Sequence, residues 1–148
     1  MANPDSVQSY YLDSFGNGRI GSAQSVSLAN VGNVTATIPI LVGGLTNTGN
    51  VTGSGSVIVR RVTIQNPSGN IATGNISILS SNDGNTSNAV VAAVTLSSLT
   101  GAATFQDVAI SGGNVLVSGY NSQALFVKVN TAVAGTVDIK VYGDTVNF

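Results

Sequence analysis

The chain has 148 residues, the length of one domain, and at that size it can bury a core without disulfide cross-links. It contains no His and no Cys, which removes the neutral-pH proton shuttle, the thiolate nucleophile and the soft ligands of zinc and copper. Charged residues are 7% of the chain and the net charge is −1, so the composition indicates no enzyme, no metal, no other cofactor and no nucleic-acid partner.

Sparse charge also bears on association. A folded surface for this mass is roughly 7,000 Å², which leaves about one charge per 600 Å². Such a surface is poorly protected against self-association, so either much of it is covered in an assembly or it is an ordinary polar surface of Ser, Thr and Asn. The chain shows neither a signal-peptide pattern nor an apolar run long enough for a membrane span, and as it stands we expect it to be made in a cytoplasm.

Residues 1–22 differ from the rest of the chain and predict an extended N-terminal arm, followed by a β-domain over 23–148. The arm holds Tyr10, Tyr11 and Phe15 and shows no sustained alternation. These aromatics are too apolar for a purely disordered tail, so we expect them to dock either on their own domain or on a neighbouring molecule.

From residue 23 onwards, apolar and polar residues alternate between turn signals, which is typical of β-strands. We place Ile58, Val62 and Ile64 on one face of a strand over 56–65, and Val57 and Val59 on the other face. Asp-Gly at 83–84 predicts a tight turn. Val26 and Leu28 alternate with serines, and the predicted strands that follow are 35–42, 56–65, 75–80, 89–99, 103–110, 114–119, 124–130 and 136–143, the last two forming a hairpin with one face in solvent.

The alanines of 89–99 also permit a helix, but its valines favour a strand. About eight strands at spacings of roughly 8 to 12 residues indicate an all-β, two-sheet sandwich. We expect a jelly roll. An immunoglobulin-like sandwich is the alternative, because strand order cannot be read from periodicity.

Arg60 and Arg61 are adjacent in a predicted strand, so alternation sends their side chains to opposite faces of the sheet. Arg suits interfaces because its planar fork pairs with a carboxylate of a neighbouring subunit. An ion pair within the domain, with Asp107 or Asp138, explains the same residues equally well.

Two further features have simpler explanations. The segment SSNDGNTSN offers oxygen ligands but lacks the alternating acids of a calcium loop, so we interpret it as a turn. A glycan-binding module needs an exposed aromatic, and the loop residue Tyr120 could supply one, although a lone loop Tyr more often covers its own core.

The Cys-free strands from RRVTIQNPSGNIATGNISI to LFVKVNTAVAGTVDIKVYGDTV, preceded by a polar and aromatic arm, resemble the small capsid decoration (cement) proteins of tailed bacteriophages. The resemblance covers most of the chain and rests on architecture, since that group has no diagnostic motif.

This resemblance implies a homotrimer on the outer capsid surface of the virion, bound to the major capsid protein and made without a signal peptide. The capsid or subunit contacts would fall on Tyr10, Tyr11, Phe15 and Arg19 of the arm and on the strand of Arg60 and Arg61. A phage tail or fibre domain, or another glycan-binding sandwich, is the alternative function.

Overall fold

The computed structural model describes residues 18–40, 55–111, 115–118 and 124–147. Within them the chain forms two antiparallel sheets, and the longest helical segment is a single 3-10 turn at Thr86–Asn88. The strands are β1 (Gly18–Ser27), β2 (Gly32–Pro39), β3 (Gly55–Gln65), β4 (Asn75–Leu79), β5 (Ala89–Thr95), β6 (Phe105–Val108), β7 (Val115–Ser118), β8 (Ala124–Thr131) and β9 (Thr136–Asn147).

The first sheet has the order β1-β9-β3-β6, with β7 pairing to the other end of β3, and the second has the order β2-β8-β4-β5. Successive strands change sheet at every step except β4 to β5 and β6 to β7. This wrapped order is that of a jelly roll, as expected. An immunoglobulin-like sandwich would instead place its first two strands in one sheet.

The first strand begins earlier than the sequence pattern predicts. Gly18 pairs with Gly143 and Arg19 with Tyr142, so residues 18–22, assigned to the arm, belong to the first sheet. The alternation there is masked by glycines and by a register shift between Arg19 and Gly21, which breaks the two-residue period. The remainder of the predicted arm, residues 1–17, lies outside the described residues.

The last two strands alternate as predicted but do not form a hairpin. Leu125, Val127 and Val129 of β8 and Val137 and Ile139 of β9 are fully buried. However, β8 pairs with β2 and β4, whereas β9 pairs with β1 and β3, so the two rows meet across the core. Periodicity predicts which residues point inwards, but it cannot tell a neighbour in one sheet from a neighbour in the facing sheet.

The described core is entirely aliphatic. Every buried hydrophobic side chain in it is Val, Ile or Leu, contributed by the inward faces of both sheets and by Ile71, Leu96 and Leu99 in the connections. The predicted strand over 89–99 ends at Thr95, and the two leucines that follow are buried by a turn closed by the hydrogen bond from Leu99 N to Leu96 O. No described aromatic residue takes part in the core.

A β-bulge interrupts the pairing of β3 with β9. Val59 pairs with Gly143 and Arg61 pairs with Tyr142, the adjacent residue of β9. Arg60, between Val59 and Arg61, is therefore the extra residue of the bulge. The bulge reverses the alternation of β3, which places Val57, Val59, Val62 and Ile64 all on the core side. The predicted division of these residues between two faces is therefore wrong.

Gly143 makes this bulge sterically possible. A Cβ atom on Gly143 would overlap the carbonyl oxygen of Ile58 and would lie 3.2 Å from the side chain of Ile20. Because the obstructing atom belongs to the backbone of the central strand, it cannot move without shifting the bulge itself.

We predict that Gly143→Ala lowers the free energy of unfolding by about 3 kcal/mol, since overpacking against backbone forces the strand pair apart. Urea unfolding followed by circular dichroism measures the loss. Gly101→Ala is the matched control, because a Cβ on Gly101 meets no atom within 4 Å. Equal stability of the two variants would contradict the proposed role of Gly143.

Candidate functional site

The outer face of the first sheet brings together the candidate arginines. Arg19 of β1 and Arg61 of β3 are both direct cross-strand neighbours of Tyr142 in β9, so the three residues form a row across three strands. Arg60 lies on the same face, one position along β3. The sequence places Arg19 in the arm and gives no indication that it shares a surface with the other two.

The side chains of Arg60 and Arg61 do not leave by opposite faces. The bulge carries both to the outer face, where Arg60 Nε lies 2.8 Å from Asp144 Oδ2 and Arg61 Nε lies 3.1 Å from Asp107 Oδ1. Arg61 also donates through Nη2 to the second carboxylate oxygen of Asp107. Both arginines therefore make ion pairs within the domain, and Arg61 pairs with Asp107, one of the two acids named from the sequence, whereas Arg60 pairs with Asp144.

The two ion pairs differ in how firmly they are held. The side chains of Arg60 and Asp144 are 34% and 51% exposed, and one hydrogen bond joins them. Asp107 accepts both Arg61 bonds and a third from Thr63 Oγ1 at 2.6 Å, while the Arg61 side chain is only 18% exposed. Asp107 therefore fixes the guanidinium plane of Arg61, whereas Asp144 only neutralises Arg60.

Asp138 is likewise hydrogen-bonded within the domain. Asp138 accepts hydrogen bonds from the backbone N–H of Ser25 and from Asn66 Nδ2, both at 2.9 Å. Ser25 and Asn66 have φ angles of 52° and 51°, which L-residues rarely adopt. Asp138 thus supports the bulge of β1 and the turn after β3 rather than projecting a free charge into solvent.

A shallow groove of about 310 Å³ crosses this face. Its floor is the outward row of β3, namely Arg61, Thr63 and Gln65, with Tyr142 on the β9 side and Phe105 on the β6 side. Asn66, Ala103 and Thr104 complete the lining. Phe105 is 62% exposed, which is unusual for a Phe, whereas Tyr142 is half-buried.

The second sheet has a different surface. Lys128 is the single charged residue in its described strands, whereas Arg19, Arg60, Arg61, Asp107, Asp138, Lys140 and Asp144 all lie in strands of the first sheet. Its edge strands β2 and β5 contain no charged residue. Beside and within β2, Val31 and Val34 are 66% and 40% exposed.

The outer face of the second sheet is partly closed by the connection between β4 and β5. Lys128 Nζ donates to the carbonyl oxygen of Gly84 at 2.9 Å, and Gly84 lies against the side chain of Asn33 in β2. In the middle of the sheet, Asn130 Nδ2 donates to Ser77 Oγ and Asn75 Oδ1 at 2.9 Å each. The edge of β5 is also covered, because Ser111 N donates to Val90 O, Ala92 N donates to Ser111 Oγ and Gln106 Nε2 donates to Thr95 O. The other edge strand, β2, is followed by a single described bridge to the first sheet, between Gly21 and Ile40.

The predicted Asp-Gly turn is present in that connection. Asp83 Oδ1 accepts from the backbone N–H of Asn85 at 2.9 Å, and Asn88 Nδ2 lies 3.0 Å from Oδ2. The Asn85 bond, helped by the Asn88 side chain, holds the pKa of Asp83 below its ordinary value. Among the described residues, no group of three acidic side chains is arranged to hold a metal ion.

We predict that Asp83→Ala destabilises the protein more at pH 6 than at pH 3. A carboxyl whose pKa is lowered by folding stabilises the fold above its unfolded pKa of about 3.9, and this contribution is lost as the pH falls through the lower folded value. Urea unfolding of both proteins across this range gives the difference directly. A difference that is independent of pH would show that the carboxylate charge plays no part in the turn.

Several predicted site residues fall outside the described part of the chain. These are Tyr10, Tyr11 and Phe15 of the arm, and the loop residue Tyr120.

The sequence alone did not indicate the groove, because Phe105 and Tyr142 are distant in the chain. They line the same groove only because β3 lies between their strands. One signal was available: Val57, Val59, Val62 and Ile64 step by two, three and two residues, and the odd step marks a bulge.

No family model, no curated protein and no solved structure matches the chain. In the part of the chain that the structure describes, no helix is long and apolar enough to cross a membrane.

We predict that Asp107→Ala lowers the free energy of unfolding by about 2 kcal/mol, because it leaves Arg61 and Thr63 without their shared acceptor in a partly buried position. Asp144→Ala should cost less than about 1 kcal/mol, as expected for an exposed pair. Thermal and urea unfolding of the two variants provide the comparison. A larger loss for Asp144→Ala would reverse the assignment of the anchoring carboxylate.

Proposed function

We propose that the chain is a structural virion protein that associates as a trimer on the outside of a phage head and stabilises contacts between major capsid subunits. The observation that carries the proposal is the uncharged edge strand β2 of the second sheet. Exposed strand edges normally carry Lys, Pro or inward charges that prevent pairing with another chain. Here β2 has only Pro39, at its last position.

The surroundings of β2 support its use as an assembly edge. Val31 and Val34 expose apolar surface at this edge, and the described strands of the second sheet have no charge other than Lys128, which is itself hydrogen-bonded to Gly84 O. Depletion of charge with exposed apolar side chains is what distinguishes the centre of an interface from its rim. A second copy or a capsid subunit could pair here without desolvating an ion.

The rest of the domain suits a structural role. An all-aliphatic, close-packed core in a wrapped two-sheet topology makes a rigid body, and the ion pairs of the first sheet neutralise most of its few charges locally. In this arrangement the second sheet faces its neighbours, and the first sheet remains directed away from them.

Sedimentation equilibrium of the isolated protein tests the self-association step. We expect a mass about three times 14.8 kDa, and co-sedimentation with heads that lack the protein as the second step. A monomer at every concentration that also fails to sediment with heads would overturn the proposal.

We predict that Val34→Lys weakens self-association about 100-fold, because a charge would have to be buried between the copies without a partner. Val31→Lys, at a more exposed position, should act in the same direction. Gln24→Lys is the matched control, since Gln24 is exposed in β1 of the first sheet. Unchanged mass for the valine variants, with folding verified by circular dichroism, would exclude the β2 edge.

A further inference from the structure

The groove on the outer face of the first sheet has no role in the assembly proposed above, which uses the second sheet. We propose that this groove binds a neutral oligosaccharide. Its volume of about 310 Å³ is at the lower end of the range for small-ligand sites. The groove is open and its floor follows the outward row of β3, so a short chain of sugar rings can lie along the strand.

The floor of the groove offers hydrogen bonds of the kind that sugar hydroxyls accept and donate. Gln65 contributes an amide group, Asn66 contributes its amide oxygen while Nδ2 donates to Asp138, and Thr104 contributes a hydroxyl oxygen whose proton goes to Gly101 O; all three line the groove. These groups lie at successive levels along and beside β3, so they can meet hydroxyls on successive rings. The outward row of a strand keeps them at a fixed spacing.

The aromatic residues stand at opposite ends of this floor. Phe105 is the cross-strand neighbour of Gln65, and Tyr142 is that of Arg61, so strand geometry puts their Cα atoms roughly 16 Å apart. Such a separation matches a short oligosaccharide. An exposed aromatic ring gives the apolar C–H face of a sugar a surface to stack on, and Phe105 is 62% exposed although the core of this domain contains no described aromatic.

The charge balance of the groove selects for a neutral ligand. Arg61 is its one cationic side chain, and both of its described hydrogen bonds go to Asp107. An acidic sugar would have to displace Asp107, which also holds Thr63. A neutral sugar can bond to the amide and hydroxyl groups of the lining and leave the pair of Arg61 and Asp107 intact.

The competing occupant is the aromatic N-terminal segment that contains Tyr10 and Tyr11, since the chain enters the sheet at Gly18, beside Gly143. A tyrosine side chain inserted into the groove would need an apolar pocket. The groove instead has a polar floor and a single well-exposed apolar side chain, Phe105, at its side. The polar floor therefore favours the sugar.

The experiment is a heteronuclear NMR titration of the full chain with maltotriose, cellotriose, chitotriose and mannotriose at millimolar concentration, and with sialyllactose as an acidic comparison. We expect the backbone resonances of Gln65, Phe105 and Tyr142 to shift with at least one neutral trisaccharide and not with sialyllactose. Phe105→Ala should weaken that binding about fivefold, the range of one stacked ring. Gln65→Ala should also weaken it, through the loss of a hydrogen bond.

Gln24→Ala is the matched control, because Gln24 is exposed in β1 of the same sheet but does not line the groove, and it should leave the affinity unchanged. The proposal is overturned if no neutral trisaccharide shifts these resonances, if sialyllactose binds equally well, or if Phe105→Ala and Gln65→Ala bind as the parent does. It is also overturned if Tyr10→Ser or Tyr11→Ser shifts the groove resonances without sugar, which would identify the N-terminal segment as the occupant. None of these outcomes bears on the oligomer mass, so the two proposals fail independently.

Discussion

Strand β3 has to serve two sets of neighbours with one backbone. It pairs with β9 along its whole length, and on its other side with β7 at one end and β6 at the other. A strictly alternating strand would expose either Val57 and Val59 or Val62 and Ile64. The bulge at Arg60 removes this conflict, and Gly143 leaves the space in which the bulge forms.

The same bulge determines the character of the outer face of the first sheet. Because the reversal occurs between Val59 and Val62, both intervening arginines project outwards, and each meets a carboxylate on a neighbouring strand. The sheet thereby concentrates cations without presenting a strong net charge. This local neutralisation leaves hydrogen-bonding geometry, rather than charge, as the property of the groove that can select a ligand.

The two sheets divide the surface between them. The first sheet carries nearly all of the charged residues of the described strands, together with the exposed Phe105. The second sheet has uncharged edge strands and a face that its own β4–β5 connection partly covers. Such a division follows from an aliphatic core: Val, Ile and Leu fill the interior, so the aromatic residues are left for the surface, where they can contact other molecules. A domain built in this way can contact one partner through the second sheet and leave the first sheet accessible to another.

The sequence by itself determined the class of the fold and most of the strands, because alternating Val and Ile between Gly, Asn and Asp turns leave few other ways to bury apolar surface. It also predicted the inward rows of β8 and β9, and it left an ion pair with Asp107 open as one of several explanations of the two arginines. Only the tertiary structure decided that β8 and β9 belong to different sheets, that Arg60 and Arg61 share a face, and that Arg19 and Arg61 flank Tyr142 from opposite sides. These are relations between residues far apart in the chain, set by strand order and by one extra residue in a bulge, and a local two-residue period contains no information about either.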